Sequence, residues 1–433
     1  MWRLCAIALV AGLIAGCGQS ALPTTDVARA VGPQPVAPQP SPDQNKLPVP
    51  VELFPVLAWG GPPTTQEAYR ELADAGFTWN LTAVGNAEAA ATALDVAKAT
   101  GVKQIVCCVE LQGPDPEPTV KRFKDHPALG GYYVRDEPSA GEFAKMAAQV
   151  RRIQAVDDRH PCYINLFPNY ATTGEAGQLG TVTYQEYVNR FVREVPVPFI
   201  SFDHYPVLDG FGADAAGGAW YENLEVISVA ARKANKPYWA FARSVAFGAH
   251  APATPAHLRV QVNSNLAYGA QGIQYFTYCT PRPDSEGTAF HDGPITIDGK
   301  RTVVYDHVKQ LNREIQGLRG VFLGARVLSL GHTGKELPKG TRRYEPAAPV
   351  KEVTTEGAGA LVSLLSNDGR QFLVVVNRDV DRPLGVTVHL DASVPAHRVQ
   401  KDSSLQPIAG TRLEARIEPG DLCVLTWPDK PAK

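Results

Sequence analysis

From residue 51 to about 317 the chain repeats one pattern eight times: a short, almost continuously apolar run, then an amphipathic stretch of helical period. This alternation constrains the fold more than any other feature. A strand that is apolar on both faces has to be covered on both faces, and parallel strands achieve this by alternating with helices. The apolar runs lie at 54–59, 77–82, 103–109, 131–134, 162–167, 199–204, 238–241 and 273–278. The helical stretches lie near 66–75, 87–100, 119–125, 141–156, 184–195, 220–234, 255–269 and 305–318. Capping residues precede several of them: Thr64-Thr65 the first, Ser139 the fourth and Thr183 the fifth. Ala75-Gly76 and Thr100-Gly101 close two others with glycine. An open doubly wound sheet also alternates, but it has no reason to stop at eight, and no Gly-rich phosphate loop follows the first run.

The pattern therefore predicts an α/β fold, a (β/α)8 TIM barrel over 51–318. Beyond it, short runs at 321–329, 360–365, 371–377, 384–390 and 421–426 are separated by turns such as Asn367-Asp368-Gly369. They read as a C-terminal antiparallel β-sandwich domain over 319–433.

The amino terminus points to export. Met1-Trp2-Arg3 carries one positive charge, an apolar run covers 4–14, and Ile14-Ala15-Gly16-Cys17 closes it. Such a run is too short to span a bilayer and has the layout of a secretory signal over 1–17. Its last four residues resemble the lipobox of bacterial lipoproteins. The resemblance implies cleavage before Cys17, diacylglycerol on its thiol and anchoring to membrane lipid; Gly18 in place of Asp favours the outer membrane. By residues alone, an ordinary signal peptide that happens to contain a cysteine also fits. The Pro-, Ala-, Gln- and Ser-rich segment 18–50 reads as a disordered tether, which places the rest of the chain in the cell envelope, facing the periplasm or exterior.

A formal net charge of −2 offers no basic patch for nucleic acid. Beyond Cys5 and Cys17, the cysteines Cys107, Cys108, Cys162, Cys279 and Cys423 show no CxxC spacing and read as small buried hydrophobes. In a strand, Cys107 and Cys108 would point to opposite faces. Neither a metal nor a cofactor is expected.

Barrel active sites lie at the C-terminal strand ends. There the sequence sets Trp59, then Asn80 and Thr82, then Glu110; the fourth run ends in Arg135-Asp136-Glu137 and the fifth supplies Asn165. The sixth brings Asp203-His204-Tyr205, the seventh Trp239 and Arg243, and the eighth Tyr278. Carboxylates, indoles, phenols and amides around one mouth suit a carbohydrate substrate, because aromatic faces stack on pyranose C–H surfaces and polar side chains bind hydroxyls in pairs.

Glycoside hydrolysis needs a protonated carboxyl beside a second carboxylate acting as nucleophile or base. In Gly130-Gly131-Tyr132-Tyr133-Val134-Arg135-Asp136-Glu137-Pro138, crowding by Asp136 and the aromatic strand favours Glu137 as the acid. Asp136 would then support it. The alternative is that one of the two caps the helix beginning near Ser139.

Arg-Asp-Glu-Pro after strand 4, Asp-His-Tyr-Pro after strand 6 and Tyr-Phe-Thr-Tyr at strand 8 resemble clan A glycoside hydrolases, loosely the family 42 β-galactosidase-like group. The resemblance covers the barrel and implies an acid/base Glu after strand 4, which maps onto Glu137, with Asp136 in place of the usual Asn. It also implies a nucleophilic Glu ending strand 7, but Tyr238-Trp239-Ala240-Phe241-Ala242-Arg243-Ser244 contains no carboxylate.

Asp203 is the favoured substitute, as base or nucleophile; two strands from Glu137, it could leave the wider gap of about 6.5–9.5 Å associated with inversion, with Asp203 activating water. It could equally bind a sugar hydroxyl or hold His204 or Arg243. Glu110, Asp284 and Glu286 are further candidates. No second His lies at ligand spacing from His204, which weakens a metal reading. Two other classes remain open: a carbohydrate-binding surface lipoprotein with a degenerate barrel, and a lyase or metal-dependent barrel.

Overall fold

The computed structural model describes residues 45–206, 217–284, 287–392 and 394–429. Cys17, most of the tether and Glu286 lie outside them. Eight parallel strands close a barrel: β1 Val56–Trp59, β2 Trp79–Leu81, β3 Lys103–Val106, β4 Leu129–Asp136, β5 Cys162–Leu166, β6 Ile200–Phe202, β7 Tyr238–Arg243, and the eighth barrel strand, Gly272–Phe276, which pairs with both β7 and β1. Around them lie α1 Gln66–Asp74, α2 Ala87–Thr100, α3 Val109–Gln112, α4 Glu117–Phe123, α5 Phe143–Gln154, α6 Tyr184–Glu194, α7 Gly217–Ala234, α8 Pro255–Ala267 and α9 Val303–Gly317. Among the described residues, no helix is long and apolar enough to cross a membrane.

The expected caps form. Thr65 accepts from Ala68 N at 3.2 Å and Thr183 from Glu186 N at 3.1 Å. Each such cap is worth about 1 kcal/mol. α2 starts at Asn86, whose Oδ1 accepts from Ala89 N at 2.9 Å, and ends at Gly101 in the left-handed conformation, φ +75°.

The barrel interior is packed in layers. Its floor is a pair of indoles, Trp79 and Trp239, edge to face at 5.1 Å between centroids. Two glycines make room for them: a Cβ on Gly130 would lie 2.5 Å from the Trp79 ring, and one on Gly272 would lie 2.5 Å from that of Trp239. Leu57, Leu81, Ile105, Tyr163 and Phe241 fill the interior with them. Cys107 belongs to this cluster while Cys108 joins the layer between strands and helices, as period 2 requires. The five described cysteines are free thiols.

Six strands, in spatial order Arg326–His332, Ala360–Asn367, Arg370–Asn377, Leu422–Pro428, His397–Val399 and Leu405–Pro407, form one antiparallel sheet. Val350–Thr355, Leu384–Leu390 and Arg412–Ile417 form a second. Val362, Leu364, Leu373, Val375, Val386, Val388 and Trp427 fill the space between the two sheets. Leu361, Leu365, Phe372, Val374 and Val376 on the other face join the barrel's hydrophobic core, so the central strands read as continuously apolar. Asp368-Gly369, with φ of +45° and +71°, makes the two-residue turn that pairs Asn367 with Arg370. Against the barrel lies α8, buried on most sides; its Asn263 Nδ2 donates to Gly420 O at 3.0 Å and its Asn265 Nδ2 to Phe241 O at 3.0 Å.

Two expectations shift. The run at 321–329 begins as a helical turn, Arg319–Phe322, that buries Val321 and Phe322, and the strand starts only at Arg326. Residues 45–50, read as tether, lie against the folded part: Leu47 is buried and its N–H donates to Ser403 O at 2.8 Å, while Arg319 Nε donates to Pro50 O at 2.8 Å.

Candidate active site

The three carboxyls of Asp136, Glu137 and Asp203 meet at the C-terminal mouth of the barrel. β4 delivers the first two. A register shift against β5 between Tyr133 and Arg135 ends with Asp136 level with Asn165. The chain then leaves the strand through Glu137 at φ +46°, a left-handed conformation uncommon for a side-chain-bearing residue, with Glu137 N donating to Asn165 O at 2.9 Å.

Asn165 organises the acids. Its Nδ2 donates to Asp136 Oδ1 at 3.1 Å and to Asp203 Oδ1 at 2.9 Å. Those two oxygens can therefore lie no further apart than the sum of the two bonds, 6.0 Å. The amide orientation is set from below. Ser201 Oγ donates to Asn165 Oδ1 at 2.8 Å and accepts from Gln274 Nε2 at 2.9 Å, and Tyr163 OH donates to Gln274 Oε1. One polar chain thus runs through β5, β6 and the eighth strand to the acids.

Glu137 and Asp203 are in direct contact: their carboxyls share a hydrogen bond. The gap of about 6.5–9.5 Å expected between them is absent. The reason is the closed barrel, which brings the tips of strands 4 and 6 together across the mouth. Burial, then the Asp203 and Asp136 charges, push the Glu137 pKa well above the ordinary carboxylate range. Burial and Asp136 raise Asp203 to about 7 against the opposing bond from Asn165. Burial raises Asp136 to about 6, with Asn165 and Arg135 pulling the other way. At neutral pH Glu137 is the protonated member and donates to Asp203, which also accepts from the Tyr205 hydroxyl.

Neither carboxyl caps the following helix, because Ser139 and Glu142 form that capping box themselves, with Ser139 N donating to Glu142 Oε2 at 3.0 Å. Arg135 points outward and pairs with Glu142 at 3.0 Å.

Around the acids stand Trp59, whose ring lies 6.1 Å from Tyr133 and 5.5 Å from Phe241, and the buried His204 and Tyr205. Burial holds His204 neutral, its pKa lowered to about 3, and its Nδ1 faces Asn223 Oδ1 at 3.3 Å. Tyr205 packs on Phe276 at 5.4 Å and edge-on to Phe247 at 6.3 Å. Phe247 and Phe290 sit on a two-residue ladder tying the loops after strands 7 and 8.

Several residues read as part of the mouth lie elsewhere. Trp239 is the second residue of β7 and plugs the floor. Tyr278 is buried between strands and helices, 5.2 Å from Phe77. Arg243 is fully buried and its Nη1 donates to Val245 O and Ala251 O, each at 2.8 Å, so it braces a loop. Glu110 belongs to α3 and turns to the start of α2: burial works to raise its pKa, but the Ala87 N–H and neighbouring donors hold it below the ordinary value. Asp284 accepts from Thr288 N at 2.8 Å within its own loop. Among the described residues, no group of three or more His, Cys, Asp or Glu is placed to hold a metal ion.

Sequence reasoning missed Tyr170 and the Tyr163–Ser201–Gln274 chain, and used Tyr133 only as part of the aromatic strand beside Glu137. The interior positions follow from strand alternation once Asn165 is placed. Tyr170 lies on a loop, where no periodicity marks it.

No family profile matches the sequence, and no curated protein is similar to it. Among solved structures, an α-amylase from Anoxybacillus matches with a TM-score of 0.51 at 9% identity, over 88% of this chain and 99% of that one. The α-amylase from Geobacillus thermoleovorans, solved with acarbose, matches with a TM-score of 0.50 at 9% identity, over 87% and 98%. A family 27 β-L-arabinopyranosidase from Geobacillus stearothermophilus gives 0.47 at 8% identity, over 88% and 98%. The likeness to the two α-amylases is one of fold, and it extends over most of both chains.

Proposed function

We propose that this protein is a glycoside hydrolase acting on a poly- or oligosaccharide, with Glu137 as general acid, Asp203 as nucleophile and Asp136 in support. The observation that carries the reading is the convergence of Glu137, Asp136 and Asp203 at the barrel mouth, with Asn165 bonded to both aspartates. A glycosidic oxygen entering the mouth replaces Asp203 as acceptor of the Glu137 proton. Asp203, held by Asn165 and Tyr205, is then free to attack the anomeric carbon. As the carbon–oxygen bond breaks, its electron pair goes to the leaving oxygen, which takes the proton of Glu137. Ionised Glu137 next deprotonates a water, which attacks the same carbon and releases Asp203. An interaction this close between the two carboxyls fits the shorter spacing of a retaining pair, and so favours retention.

Trp59, His204 and Tyr205 would line the sugar site. Cys17 would carry the lipid that keeps the enzyme in the cell envelope, with the outer membrane favoured. The test is the anomeric configuration of the first product, followed by NMR on oligosaccharides of a panel. Retention is expected; initial inversion would remove Asp203 as nucleophile.

A second reading rests on one observation: β7 carries no acid, and Ser244 after it donates to Thr277 O at 2.8 Å. It is a carbohydrate-binding surface protein on a degenerate barrel. A wild type that hydrolyses nothing, yet binds glycans as tightly as Glu137→Gln, would favour it.

A further inference from the structure

Tyr170 is 48% exposed, yet its ring is held in place. It stands edge to face with the buried His204, 5.0 Å between ring centroids, immediately beside Asp203 in the chain. His204 is itself fixed by Asn223, whose Oδ1 also accepts from Asn169 N at 2.7 Å and whose Nδ2 donates to Tyr184 OH at 3.2 Å. Asn169 Nδ2 in turn donates to Ala219 O at 2.7 Å. The loop after β5 is thus pinned on the residue that precedes Tyr170, so an open aromatic face is kept next to the acids. Burial, then the charges of Asp203 and Glu137, push the Tyr170 hydroxyl pKa well above the ordinary value. A large, half-exposed ring on a support held by hydrogen bonds through Asn223 and Asn169 fits a platform for a ligand with an apolar face and a polar rim.

We propose that Tyr170 is the positioning and specificity-determining residue on which a pyranose of a neutral glycan stacks beside the Glu137–Asp203 pair. The inference rests on the glycosidase reading and adds to it the residue that selects the sugar face. The ring does the work through contact with axial C–H groups; the hydroxyl is not required. His204 acts through Tyr170 by holding its edge.

The test compares wild type, Tyr170→Ala and Tyr170→Phe on 4-nitrophenyl glycosides and neutral oligosaccharides, with affinity for the same oligosaccharides measured by calorimetry in the Glu137→Gln background. Expected is a rise in KM and Kd of about five- to ten-fold for Tyr170→Ala, with kcat within about two-fold and wild-type values for Tyr170→Phe. A wild type that turns over a glycan while Tyr170→Ala leaves KM and Kd unchanged overturns the platform and leaves the glycosidase reading intact. Equal damage from Tyr170→Phe overturns it too, by assigning the effect to the hydroxyl. A wild type that binds without hydrolysis defeats the glycosidase reading, and the calorimetric comparison still decides the platform. Neither turnover nor binding across the panel overturns both.

Discussion

The carboxyl of Glu137, at the tip of β4, is hydrogen-bonded to that of Asp203, which follows β6, across the mouth of the barrel. Between them in sequence lies Asn165 of β5, donating to Asp203 and to Asp136 through one nitrogen. Three acids gathered at one mouth, all with raised pKa values, form an arrangement poor for stability and suited to proton transfer.

The pH profile follows from which group must be ionised. Asp203 and Asp136 lose protons at about 7 and about 6, while Glu137 holds its own well beyond the ordinary range. Activity is expected to rise from pH 6 to 7 and to fall only at higher pH, when Glu137 deprotonates. A kcat/KM profile flat from pH 5 to 7 would contradict the assignment.

Asn165→Ala removes the donor that holds both aspartates below the values burial alone would give them. The rising limb should move to higher pH by about one unit, with kcat reduced even at the new optimum. If the limb stays where it is, Asn165 is not what sets those acids.

Stability should move opposite to function at Asp203. In the folded chain it keeps its proton to about pH 7, whereas in the unfolded chain it loses it near pH 4. Between those values the folded state binds more protons, so stability falls as pH rises. Asp203→Asn removes that cost. It should be more stable than wild type at pH 8 by on the order of 1–3 kcal/mol, the difference vanishing below about pH 4. Chemical denaturation at the two pH values reads this directly.

Trp239 belongs to the floor, so Trp239→Ala should destabilise by about 3–5 kcal/mol through the cavity left against Trp79 and Gly272. The KM of the molecules that remain folded should match that of wild type; a selective rise in KM would put the indole back at the substrate.

Much of the fold was legible because its signals are local. α2 runs over the predicted residues, since Asn86 and Gly101 mark both ends. The eight strands were legible as buried runs, and Asp136, Glu137, Asn165, Asp203, His204 and Tyr205 as residues at their ends. What a strand end does not disclose is the face a side chain takes. Tyr278 turns to the helices and Arg243 into a loop, and neither choice is local. Trp239 was misplaced for a different reason: as the second residue of its strand it had to lie at the N-terminal end, and strand polarity alone gives that position. The Glu137–Asp203 contact needed the closed barrel, because residues 66 positions apart meet only when strands 4 and 6 face one mouth.

The most direct test of the central claim compares wild type and Glu137→Gln on paired aryl glycosides of one sugar, with a poor and an activated leaving group. Glu137 as proton donor predicts a loss of about 10³-fold or more on the poor leaving group, with most activity kept for formation of the glycosyl–enzyme on the activated one. Equal losses on both substrates, or none on either, would contradict it.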